Sequence, residues 1–180
     1  MNKVINKKEN NIAFIDGQNL QMGLDWNFHY KSFRQYLKDK YNIVDAYYFL
    51  GYKNDEKDLY ENLQKSGFIL IFNLKGENLV SDKKGNIDVV LTFTAMKKLL
   101  EESQEFDKII LVSGDGDYKV LVDYLVQKNK FKKILVPNLE FASTLYKNHN
   151  NLDKCYFAVL DNPDIKRKIE YKKKKRPLGI

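Results

Sequence analysis

Lys108-Ile109-Ile110-Leu111-Val112-Ser113-Gly114-Asp115-Gly116-Asp117 (KIILVSGDGD) joins an unbroken apolar run to a turn that carries two acids. A strand solvated on one face alternates apolar and polar residues, whereas this run does not, so it predicts a strand covered on both faces. Asn11–Asp16 (NIAFID) has the same build and also ends in an acid. Between and beyond these two runs, short apolar stretches alternate with segments of helical period, the pattern of βαβ units around a parallel sheet.

Working outward, the expected strands are Asn11–Asp16, Ile43–Tyr52, Phe68–Leu74, Lys108–Ser113, Lys133–Pro137 and, at an edge, Lys154–Leu160. Helical spacing runs from about Leu20 to Tyr41, with Phe33, Tyr36, Leu37 and Tyr41 on one face. Asp55–Ser66 reads as a helix closed by Gly67, and Ile87–Ser103, Tyr118–Asn129 and Phe141–Lys147 as further helices. Lys75–Asn86 is polar and glycine-punctuated, hence a loop. The expected fold is one three-layer α/β domain, Rossmann-like, with a mainly parallel sheet of five to six strands.

At 180 residues, with 43% apolar and 31% charged residues, the chain suits a single globular core. No apolar run approaches the ~20 residues that span a bilayer, and Met1–Asn11 lacks the apolar segment of a signal peptide. The lone Cys155 excludes a disulfide framework and, flanked by Tyr156, Phe157 and Val159, reads as a buried strand thiol. A cytoplasmic setting and no membrane partner are therefore expected.

The net charge of +7 is concentrated at one end: eight basic residues between Asp164 and Ile180 face only Asp164 and Glu170. Residues 1–163 are thus expected to form the domain and 164–180 a basic tail. Lys172, Lys173, Lys174, Lys175 and Arg176 in that tail would attract phosphate backbones without sequence preference, or simply keep the chain soluble.

In open α/β sheets, ligands bind beyond the carboxyl ends of the strands, where the strand order reverses. If the first and fourth strands are neighbours there, Asp16, Asp115 and Asp117 converge, and Asp88 opens a helix at the same edge. Crowded carboxylates repel one another and are stabilised by a cation between them. Oxygen ligands without Cys or His point to Mg²⁺ or Mn²⁺, an ion suited to phosphodiester hydrolysis. Each piece also has a plain structural reading: Ser113–Asp117 as a tight turn, Asp88 as a helix cap, Asn19 as an N-cap or as a group orienting an acid. The common edge favours the functional reading.

Other chemistries lack their residues. His29 and His149 have no nucleophile at useful spacing, no GxxxxGK[ST] loop exists, and no GxGxxG follows the first strand. Gln18 stands where a haloacid-type phosphatase needs a second Asp.

Phe14–Leu20 (FIDGQNL), Lys84–Leu91 (KGNIDVVL) and Ser113–Tyr118 (SGDGDY) together resemble the three signatures of the NYN domain, in order and at the right separations. That domain belongs to the PIN-like nuclease superfamily, and the resemblance is nearest to its LabA-like branch. It implies a PIN-like fold over roughly Asn11 to Leu160 and a metal-dependent ribonuclease. Asp16, Asp88, Asp115 and Asp117 would be the acidic residues, with Asn19 beside them. The implied mechanism has Asp16 and Asp115 chiefly holding the ion and Asp88 or Asp117 orienting the water, leaving 5′-phosphate and 3′-hydroxyl ends. Family members often carry another acid where this chain has Thr94, so a catalytically degenerate RNA-binding module of the same fold is the alternative. Single-stranded RNA is the expected partner, met by Lys83 and Lys84 beside the cluster and by stacking on Trp26 and Tyr30, rings that core packing would equally explain. The edge strand could support a homodimer.

Overall fold

A computed structural model of the chain describes residues 9–73, 87–148 and 152–171. Six strands form one sheet: β1 (Asn11–Asp16), β2 (Ile43–Gly51), β3 (Ile69–Asn73), β4 (Lys108–Val112), β5 (Phe131–Val136) and β6 (Phe157–Val159). Its order is β3-β2-β1-β4-β5-β6, and every pairing is parallel. Every residue of β1 is buried, as its unbroken apolar run requires of a central strand. The chain winds outward from β1 through β2 to β3, then crosses back and pairs β4 with the other side of β1. The switch point thus lies between β1 and β4, directly beyond Asp16 and Ser113-Gly114-Asp115.

Alternate residues of the strands point to opposite faces and build two cores. Phe14, Tyr47, Phe49 and Leu111 pack with Leu91 and Ala95 of α4 (Ile87–Glu101) and Leu121, Val122 and Leu125 of α5 (Lys119–Gln127). Ala13, Ile15, Tyr48 and Val112 pack on the other face with Phe33 and Leu37 of α2 (Tyr30–Tyr41) and Leu63 of α3 (Lys57–Lys65). The sheet and its two helical coats make the three-layer arrangement expected of the sequence. Gly67, with φ of 91°, follows the capping Ser66 and ends α3 in the left-handed conformation that glycine adopts without strain.

The single helix expected from Leu20 to Tyr41 is two: α1 (Gly17–Met22) and α2, separated by a seven-residue connection. The break has a tertiary cause. Gly23 lies against Pro137, where a Cβ would come within 2.5 Å of the proline ring. The backbone beyond it bonds to the C-terminal segment: His29 N–H donates to Ile169 C=O (2.9 Å), and Tyr171 N–H to Asn27 C=O (2.8 Å).

That segment corrects the boundary drawn from charge at residue 163. Pro163–Ile169 forms helix α7, opened by Asn162 as N-cap with Pro163 in the first turn, and packs on α2. Ile169 is fully buried in the second core, so residues 164–171 belong to the domain. The basic positions Lys172, Lys173, Lys174, Lys175 and Arg176 lie outside the described residues, as do Lys83, Lys84, His149 and the expected loop Lys75–Asn86.

Three smaller differences have local causes. Cys155 is exposed in a 3-10 turn, Lys154–Tyr156, because the Asp153 carboxylate accepts its N–H (2.8 Å) and delays β6. Helix α6 is confined to Thr144–Lys147, with Ser143 capping it. The fifth strand starts two residues early, at Phe131, whose side chain the first core buries.

Candidate metal centre

Asp16 closes β1 and caps α1: its Oδ1 accepts the Asn19 N–H at 3.0 Å. Asn19 is therefore not the N-cap. Its own Oδ1 accepts the Gly114 N–H at 2.7 Å, fastening the end of β1 to the turn after β4. Gly114 is there by necessity, since a Cβ would lie 2.9 Å from the Phe141 carbonyl oxygen. The turn is further held by Ser113 Oγ, which accepts the Asp115 N–H (3.1 Å), and by Tyr146 O–H, which donates to the Asp115 carbonyl (2.8 Å). Asp115 in turn caps a 3-10 turn, Gly116–Tyr118, by accepting the Asp117 N–H at 3.0 Å.

These local bonds aim the acids at one place. Asp88, in the first turn of α4, meets Asp115 and Asp117 so that one carboxylate oxygen from each lies within 4.8 Å of the others. Asp115 and Asp88 are half-buried and Asp117 is exposed, so the trio opens to solvent. Asp16 stands behind it, 4% exposed, and is not one of the three. Tyr118 joins the two parts: its hydroxyl lies 2.6 Å from Asp88 Oδ1 and 3.1 Å from Asp16 Oδ2. With one hydrogen to give, it donates chiefly to the nearer Asp88.

Burial pushes the Asp16 carboxyl above its ordinary value; the Asn19 N–H and Tyr118 O–H oppose that rise, and the negative charges of Asp88 and Asp115 add to it. Burial and the neighbouring carboxylates of Asp16 and Asp88 push the Tyr118 phenol far up, so it remains a proton donor at every physiological pH. The donor set suits a hard divalent cation: acceptor-only oxygens, crowded enough to repel, open on one side for water or substrate. Mg²⁺ and Mn²⁺ both meet that description. Lys119, the next residue along, turns instead to Asp123, with Nζ 2.6 Å from Oδ2.

Of the expected site residues, Asp88, Asp115 and Asp117 come together, Asp16 adjoins them through Tyr118, and Asn19 braces the scaffold. Trp26 and Tyr30 are half-buried and pack against the second core. Phe28 packs against both rings, at 5.6 and 5.3 Å, and Tyr30 also meets Tyr48. Lys166 Nζ sits 5.0 Å from the Trp26 ring centre. Tyr118 and Tyr146 were missed as site residues. A tyrosine directly after the last acid of SGDGD was the available signal, but helical spacing assigns it to packing.

The sequence matches the NYN domain over residues 11–161. No curated protein matches significantly. Among solved structures, a protein of unknown function from Vibrio parahaemolyticus is similar in fold, with a TM-score of 0.68 and 24% identity over 90% of this chain and 98% of that one. No described helix is long and apolar enough to cross a membrane. With its match spanning all six strands and all four acids, this chain belongs to the NYN domain family, within the PIN-like nuclease superfamily.

Proposed function

We propose that the protein is a metal-dependent ribonuclease that hydrolyses phosphodiester bonds of single-stranded RNA at the carboxyl edge of its sheet. The convergence of Asp88, Asp115 and Asp117 within 4.8 Å, in an NYN domain, carries this reading. Those three residues would hold Mg²⁺ or Mn²⁺, and when bound the ion supplies charge neutralisation at phosphorus and an acidified water. Exposed Asp117 faces solvent and is placed to take a proton from water at the open side. Asp16 fixes the start of α1 and, through Tyr118, the orientation of Asp88. Asn19 keeps the Gly114 turn in register with β1. This division gives the ligand role to the three more accessible acids, whereas the resemblance implies Asp16 and Asp115 chiefly.

Incubation of labelled single-stranded RNA with Mn²⁺, with and without EDTA, tests the reading. Asp115→Asn keeps an efficient capping oxygen but removes a charge from the trio. It should lower EDTA-sensitive cleavage by more than ~100-fold, beyond what loss of a merely supporting residue costs. Undiminished cleavage by that variant would refute the assignment.

One observation favours the degenerate RNA-binding alternative. Thr94, on the helix that Asp88 opens, donates its hydroxyl to the Val90 carbonyl (2.7 Å) and brings no carboxylate to the edge. Tight RNA binding with no product under any divalent metal would decide for it.

A further inference from the structure

Beside the acidic trio lies a groove of about 280 Å³. It is formed where the start of α1, the ends of β2 and β3, and the start of α4 meet. Gly17 and Ile87, which line it, are the immediate neighbours of Asp16 and Asp88. Its volume falls at the small end of ligand pockets, which begin at about 300 Å³, so it suits one small planar group rather than a large cofactor.

Its chemistry narrows the occupant. The polar groups are the amides of Gln18, Gln21 and Asn73 and the half-exposed ring of Tyr52. The cation of the lining, Lys53, is held by Glu56 of the same lining at 2.6 Å, so that pair offers no free charge to a phosphate. Tyr52 is braced from behind, stacked on Tyr60 (5.8 Å, 26°) and edge-on to Phe72 (5.6 Å, 83°). Tyr60 in turn accepts the Lys53 N–H at 2.7 Å, fixing that wall. The Asn73 side chain lines the groove with both a donor and an acceptor and makes no hydrogen bond among the described residues. A pre-positioned aromatic ring and neutral amides with paired donors and acceptors are the means by which proteins stack and read an unpaired base.

We infer that this groove takes one unpaired nucleobase of the RNA strand whose phosphate meets the acidic trio, and so gives the protein a base preference next to the cleaved bond. The inference rests on the ribonuclease reading in taking RNA as the ligand. Tyr52 supplies the stacking face, while Asn73 and Gln21 meet the base edge.

Gly51 provides a test that spares the fold. A Cβ there meets nothing within 4 Å, so a side chain can begin there without a clash, and Gly51→Leu adds bulk to the groove lining. Labelled oligoadenylate, oligouridylate and oligocytidylate would be titrated in EDTA, where no cleavage intervenes, and followed by fluorescence anisotropy at fixed salt. The wild-type chain should favour one homopolymer at least ~10-fold, and Tyr52→Ala should weaken that one ~5-fold or more. Gly51→Leu and Asn73→Ala should narrow the preference, with unfolding temperatures near wild type. Equal binding of all three by the wild-type chain, or variants within twofold of it on every homopolymer, would overturn the inference. A Tyr52-dependent preference in a chain that cuts nothing with Mn²⁺ upholds the groove and removes the nuclease. EDTA-sensitive cleavage without base preference does the reverse.

Discussion

Tyr118→Phe removes one oxygen from the centre of the site and almost no volume. The side chain is 1% exposed, so the phenyl ring keeps its packing between α4 and α5. What is lost is the O–H that lies 2.6 Å from Asp88 and 3.1 Å from Asp16. A hydrogen bond to a charged partner contributes about 1.5–3 kcal/mol. Asp88 is only half-buried and recovers part of this from water, whereas buried Asp16 is left, among the described residues, with the Asn19 N–H. A loss of about 2 kcal/mol in the metal-free protein follows, or about 4–8 °C for a chain of this size. The loss should shrink at low pH, where a protonated Asp16 no longer needs the donor. With the Tyr118 hydrogen bond to Asp88 lost, Mn²⁺ affinity should fall ~10- to 100-fold, the usual effect of removing a group that orients a ligand. Thermal unfolding followed by circular dichroism in EDTA, repeated as a Mn²⁺ titration, measures both. An unfolding temperature within about 1 °C of wild type, with unaltered Mn²⁺ affinity, would refute the bridging role.

Asp16→Asn tests the electrostatics behind the trio. A carboxyl raised by burial stabilises the folded state fully below the ordinary aspartate value of 3.8, and that contribution is lost as pH rises through its own higher value. In EDTA the variant should therefore gain stability relative to wild type as pH rises through that window, and a constant difference across pH would contradict the stated cause. Ile169→Ala should destabilise the domain by about 2–5 kcal/mol, because the side chain is fully buried between α7 and the second core. Chemical denaturation showing less than about 0.5 kcal/mol would return residues 164–171 to a tail.

Much of the fold was legible because burial on both faces leaves an unambiguous trace. KIILV reads as a strand covered on both faces and NIAFID as a first strand, and each ends in the acid or acid-bearing turn that the switch point needs. The connection between α1 and α2 was not legible, because its cause is distant: Pro137 against Gly23, and Ile169 and Tyr171 bonded to the backbone of residues 27–29. Charge misled at α7, where Arg167 and Lys168 face outward while Ile165 and Ile169 turn inward. At the site, residue types and spacing singled out four acids, of which the structure gathers Asp88, Asp115 and Asp117. They could not rank them, since the division between buried Asp16 and the accessible trio depends on how far each turn carries its carboxylate from the sheet. Tyr118 escaped for a related reason: only the 3-10 turn set up by Asp115 swings its hydroxyl back between two carboxylates.

The most direct test of the central claim is anomalous diffraction from crystals soaked in Mn²⁺. A peak is expected among the carboxylates of Asp88, Asp115 and Asp117, about 2.1–2.6 Å from their oxygens, with Asp16 behind it and Tyr118 still bridging. An empty trio in a crystal that binds Mn²⁺ elsewhere would contradict it.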